Sequence, residues 1–283
     1  MPSPIHRPPV AIHRRHAPIH RALDPAPVRW NDGAMPVRRL LALLVLALLL
    51  SSCGGEGPVA PAPRAEGMRV LFVGNSLTYF HSIPLIVEAI GVAQGEQLIA
   101  TESQTLPGYS LGDHLQDGIA EQMIKFGNYE FVVMQQGPSA LATSRVILRE
   151  DVANFADICQ RYGSTPAVYQ VWPEFDRFDA FPDVIESYRL AAEDVGAPLF
   201  AVGSAWLVAW DMDPSLPLYG PDQFHPSALG SYLAALVIYE GLTGRSAVGA
   251  PATLILRNHA VITMTGQQAA TLQAAAESVR QAP

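Results

Sequence analysis

The sequence predicts an α/β domain: a parallel sheet of about five strands with helices on both faces. Three observations carry that reading. From residue 69 onward short apolar runs alternate with helical patterns, as in strand–helix–strand units. Several of the runs are continuously apolar, as strands buried on both faces must be. The chain has 283 residues, 49% of them hydrophobic, which suits one sizeable core plus extra segments.

Taken in order, the strands are expected at 69–73, 97–101, 130–135, 167–172 and 198–202. Helical periodicity fills 84–94, 111–126, 147–162, 181–195 and 227–242, and a last helix is expected at 265–279. Ser82 before Pro84 marks one helix start, and Gly244 shortly after Leu242 marks one helix end. No internal repeat is present.

The segment before residue 68 has a different character. Met35-Pro-Val-Arg-Arg leads into eleven apolar residues, 40–50, and then Ser51-Ser52-Cys53-Gly54, the layout of an export signal. The apolar core is too short to span a membrane, which takes roughly 20 residues. Leu50-Ser51-Ser52-Cys53 resembles the lipobox of bacterial lipoproteins. That resemblance implies lipidation of Cys53, and Gly54 after it implies sorting to the outer membrane; an ordinary secretory signal is the alternative. Residues 1–34, rich in Pro, Arg and His, precede this signal. They are expected to be an upstream extension with the true start at Met35, a long n-region being the alternative. Residues 54–67 read as a tether, spanning at most about 40 Å at ~3.1 Å per residue, and residues 68–283 as the domain.

Of 18 basic and 26 acidic residues, seven arginines and two aspartates lie in 1–53, leaving 11 and 24. So acidic a remainder, with Lys125 its single lysine, argues against nucleic-acid partners, which need a basic face. Cys53 and Cys159 are the two cysteines. With Cys53 lipidated, Cys159 has no disulfide partner, and its helical surroundings suit a small buried thiol.

The chemistry is expected where the first strand ends, in Gly74-Asn75-Ser76. In open α/β sheets the ligand crevice lies outside the carboxyl ends of the strands. A serine becomes nucleophilic when a base takes its proton and a third group orients that base. Asp222 and His225 stand three apart in Tyr219-Gly-Pro-Asp-Gln-Phe-His-Pro-Ser, just before a helix. At that spacing the carboxylate reaches one ring nitrogen and leaves the other for Ser76. His81 and His114, competing bases expected at the pocket border, lack an acid at that spacing, although Asp113 adjoins His114, and His259 is expected in a surface segment. No spacing of His or Cys suits a metal, and no cofactor is expected.

Together these blocks resemble the SGNH/GDSL hydrolases, serine esterases with a flavodoxin-like α/β/α fold. Their Gly-Asp-Ser-Leu motif reads here Gly74-Asn75-Ser76-Leu77, and their Asp-x-x-His block reads Asp222-Gln-Phe-His225. The likeness covers residues 69–280 and is nearest to exported bacterial members. It implies an oxyanion hole formed by the Ser76 amide, the Gly108 amide in Pro107-Gly108-Tyr109, and a side-chain amide after the third strand. There the family's Gly-x-Asn-Asp is absent, and the sequence offers Gln135-Gln136-Gly137. Gln136 is assigned as the third donor with Gln135 as runner-up, since adjacent strand residues face opposite ways. Trp172 and Glu174 are expected on the same rim, either to bind a sugar ring or to pack and cap.

The expected function is therefore an ester hydrolase of the cell envelope acting on small acyl esters, acetylated saccharides among them. Its only expected membrane contact is the lipid on Cys53. A non-catalytic, surface-tethered glycan-binding module on the same fold is the alternative. Nucleotide binding is weak, because the Ser76 loop lacks the glycines and the basic residue of a phosphate loop.

Overall fold

A computed structural model describes residues 67–95 and 98–281. The expected extension (1–34), the signal with Cys53 (35–53) and residues 54–66 of the tether lie outside the described residues. The expected sheet is present. β1 (Met68–Gly74) is flanked by β2 (Ile99–Thr105) and β3 (Phe131–Met134), and β4 (Thr165–Tyr169) and β5 (Leu199–Phe200) continue beyond β3. All pairs are parallel, in the order β2-β1-β3-β4-β5. β1 buries Val70, Leu71, Phe72 and Val73 completely. No water could satisfy that backbone, so it pairs on both sides. Gly74 lies opposite Thr105, and Val73 opposite Met134. Three strands therefore finish together at the point where strand order reverses, the switch point at which such sheets hold ligands.

Helices cover both faces. α1 (Ser76–Tyr79) is a single turn, followed by a 3-10 turn (Phe80–Ser82) and α2 (Ile83–Ala93). On one face α2 packs against α8 (Ala228–Thr243), and α9 (Gly266–Arg280) packs against both α8 and α7 (Val202–Met212). On the other, α5 (Ala142–Tyr162) packs against α3 (Leu111–Asp117), α4 (Ile119–Gly127) and α6 (Phe181–Val195). α8 is buried on nearly every side, so it shows no polar stripe.

The differences from the expected elements have local causes. The helix expected at 111–126 breaks into α3 and α4 at Gly118, whose φ of 68° caps one helix and starts the next. The strand expected at 198–202 is reduced to two residues because Val202 opens α7. Gln170 Oε1 captures that helix start, accepting from the N–H and the hydroxyl of Ser204. A hairpin of β6 (Thr253–Ile255) and β7 (Val261–Thr263) also went unread. Its turn residue Arg257 pairs with Glu88, and Glu88 accepts from Thr101 of the edge strand β2. Cys159 is free and fully buried, and burial pushes its thiol up to about 12, which makes it inert.

Candidate active site

Ser76 leaves the sheet as the first residue of α1, and its placement begins with Gly74. A Cβ on Gly74 would stand 2.2 Å from Gln135 Oε1, so only glycine lets that amide slide under the turn. Gln135 is 1% exposed. Its Oε1 accepts from the Asn75 N–H (3.0 Å) and the Thr78 hydroxyl (2.7 Å). Its Nε2 donates to Asn75 Oδ1 (2.8 Å) and the Gln136 carbonyl (2.7 Å). Asn75 caps α1 by accepting the Leu77 N–H, and its Nδ2 donates to the Tyr109 carbonyl at 2.9 Å. That last bond needs an amide; an aspartate would turn an oxygen toward a carbonyl. Beneath the turn the buried His114 donates from Nε2 to the Gly74 carbonyl at 2.8 Å. His114 is thus a support for the strand end.

The chain brings His225 to Ser76 across 149 positions. His225 Nε2 lies 2.8 Å from Ser76 Oγ, and His225 Nδ1 lies 2.5 Å from Asp222 Oδ2. A carboxylate only accepts, so Nδ1 carries the proton and Nε2 is left to accept from the serine hydroxyl. Asp222 Oδ1 also accepts the Phe224 and His225 N–H groups, which fixes the turn. The His225 hydrogen bond, helped by those two N–H groups, holds the Asp222 carboxyl below the usual carboxylate range. The turn is closed by the Gly220 N–H on the His225 carbonyl at 2.7 Å. It is also pinned by Trp172, whose Nε1 donates to the Phe224 carbonyl at 3.0 Å.

Trp172 therefore packs; it is fully buried and stacked on Trp206 at 3.8 Å between ring centroids. His81 sits beside the turn, sharing a cavity with Asp222 and His225. His259 lies in the β6–β7 turn, with a φ of 67°.

The loop that carries Gly108 is tied to the serine turn through the Asn75–Tyr109 bond. Leu106-Pro107-Gly108-Tyr109 closes a turn with Pro in its second position and Gly108, at φ 71°, in its third. Among the described residues no acceptor meets the Ser76 or the Gly108 N–H. The two glutamines divide their labour. Both N–H groups of Gln135 are spent, whereas Gln136 Nε2 donates one to Ser139 at 3.0 Å and keeps the other. Gln136 Oε1 takes the Leu111 N–H at the start of α3. Its backbone is held by Tyr188, a residue the sequence reading missed, whose hydroxyl donates to the Gln136 carbonyl at 2.7 Å. Among the described residues no three His, Cys, Asp or Glu side chains come together as a metal site requires.

Sheet and site define a class: a three-layer α/β/α protein with a hydroxyl–imidazole–carboxylate relay at the carboxyl edge of a parallel sheet. Its fold is that of the SGNH/GDSL hydrolase superfamily, which solved structures of similar architecture support. It is similar to a protein of Slackia heliotrinireducens assigned to the SGNH hydrolases, at 26% identity and a TM-score of 0.55 over 62% of this chain and 99% of that one. Two further solved structures share the fold. One is a DUF4886 family protein of Bacteroides uniformis, at 19% identity and TM-score 0.62, over 76% of this chain and 95% of that one. The other is a lipase/acylhydrolase of Enterococcus faecalis, at 16% and 0.51, over 63% and 96%. No protein-family model and no curated protein matches the chain.

Proposed function

We propose that the protein is an exported serine ester hydrolase acting through an acyl-enzyme on Ser76. The observation that carries this reading is the unbroken relay from Asp222 Oδ2 through the His225 ring to Ser76 Oγ, with the Ser76 and Gly108 N–H groups meeting no acceptor among the described residues. His225 Nε2 accepts the Ser76 proton as Oγ attacks an ester carbonyl, and Asp222 stabilises the imidazolium that forms. The Ser76 and Gly108 amides and the spare Gln136 N–H hold the oxyanion. The imidazolium then protonates the leaving alcohol, and a water activated by the same base releases the acid. The relationship to the Slackia protein supports hydrolase chemistry; small acyl esters, including acetylated saccharides, are the substrate class proposed.

Hydrolysis of p-nitrophenyl acetate tests the reading, with Ser76→Ala as control. Turnover lost in the variant supports it. Equal turnover in both proteins, or none against a broad ester panel, leaves the glycan-binding module instead. Lipidation of Cys53 and residence at the outer membrane are part of the proposal. Labelled fatty acid should enter the protein in a bacterial host, and Cys53→Ser should abolish both labelling and membrane retention. Retention unchanged in Cys53→Ser would remove the anchor.

A further inference from the structure

The imidazole of His225 is held at both nitrogens, and one of its faces is covered too. The Phe80 ring lies on it with centroids 3.9 Å apart and planes 9° from parallel. Phe80 ends the one-turn helix that Ser76 begins, its N–H donating to the Ser76 carbonyl. The next two residues, His81 and Ser82, are both left-handed, with φ of 50° and 58°. Neither is glycine, and non-glycine residues avoid this region unless the surroundings impose it. The pair reverses the chain between α1 and α2, and the residue before it stands against the base.

Resting on the triad reading, we propose that Phe80 is a positioning residue that stabilises the imidazolium of His225. The face of an aromatic ring is electronegative, so it attracts a cation laid against it and does much less for a neutral ring. His225 becomes cationic as it takes the Ser76 proton on Nε2, and neutral again as it passes that proton to the leaving alcohol. Phe80 thus favours the charge at the step where it develops, and its bulk stops the ring from rotating away from Ser76. The titratable groups lining the same cavity are Asp222, His81 and Tyr219. Asp222 is ionised and favours the imidazolium from the far edge. Desolvation lowers the His81 pKa, and burial raises that of Tyr219. Both are therefore neutral at pH 7, and neither opposes the charge.

Phe80→Leu removes the π face while keeping an apolar cover of similar size, and Phe80→Tyr keeps the face. The direct readout is the His225 pKa, followed by ¹⁵N NMR of the ring nitrogens without substrate. In Phe80→Leu it should fall by about half a unit to one unit, and Phe80→Tyr should restore it. The acid limb of kcat/KM should move down in pH by the same amount. In Phe80→Leu, kcat should drop several-fold with KM little changed. A His225 pKa within 0.2 of wild type in a folded Phe80→Leu overturns the proposal. So does a normal kcat in that variant. Because the titration needs no turnover, it reports on Phe80 even if Ser76 hydrolyses nothing. An active enzyme with unshifted titration rejects Phe80 alone and leaves the triad standing. Should Phe80→Leu not fold, Phe80→Met supplies the same comparison.

Discussion

The two halves of the site are held in different ways. The Ser76 half rests on the sheet: Gln135, Asn75, Thr78 and His114 are all buried and bonded to one another or to the end of β1. The His225 half is a surface turn, with the Asp222 side chain 50% exposed, held by its own backbone, by Trp172 and by stacking against Phe80. A buried polar network costs stability when broken, because each orphaned group forfeits its hydrogen bond far from water. An exposed turn has little such leverage. Substitutions in the first half should therefore lower stability and rate together, and those in the second should lower rate alone.

The largest effects are expected at the relay. His225→Ala should lower kcat by on the order of 10⁴ to 10⁶, and Asp222→Asn by about 10⁴, with melting temperatures within a few degrees of wild type. Steady-state kinetics beside calorimetry separates the two quantities. Next comes the contrast between neighbouring glutamines. Gln136→Ala should cut kcat about a hundredfold, the effect of one oxyanion donor. Gln135→Leu should instead lower unfolding free energy by roughly 2–4 kcal/mol in a urea titration, since it strands several buried groups. Equal stability loss at both positions would erase the distinction drawn here. Asn75→Asp should reduce kcat by about tenfold, because a carboxylate cannot donate to the Tyr109 carbonyl and so loosens the Gly108 turn.

The smallest effect lies outside the site and serves as a control on pH work. Burial raises the Glu240 carboxyl to about 7, and the side chain accepts the Ala247 N–H at 2.8 Å. Between its ordinary value near 4.5 and 7 the folded protein holds the extra proton, so stability falls as pH rises through that window, by about 1–3 kcal/mol. Glu240→Gln should flatten that slope and raise the melting temperature at pH 8 by a few degrees. The acid limb of the rate profile should not move. An unchanged slope in Glu240→Gln would assign the pH dependence elsewhere.

Much of this was legible in the sequence because catalytic chemistry uses few residue types at strand ends. Ser76, Asp222, His225 and Gly108 each sit where the alternating pattern places a carboxyl-edge loop. The choice between Gln135 and Gln136 was not fully legible. Alternation puts them on opposite faces but does not say which amide is spent, and that depends on the missing side chain at Gly74. α7 escaped because an apolar run rich in small residues fits either period, and the β6–β7 hairpin because three-residue strands hardly alternate. Phe80 was invisible: nothing in His81-Ser82 signals two left-handed residues, since neither is glycine or asparagine.

The central claim is that Ser76 is a nucleophile made reactive by His225. Labelling with a fluorophosphonate, followed by mass spectrometry of the digested protein, tests it most directly. One adduct is expected, on the peptide containing Ser76, formed rapidly in the wild type and at least a hundredfold more slowly in His225→Ala. An adduct on another residue, no adduct at all, or labelling indifferent to His225 would contradict the account.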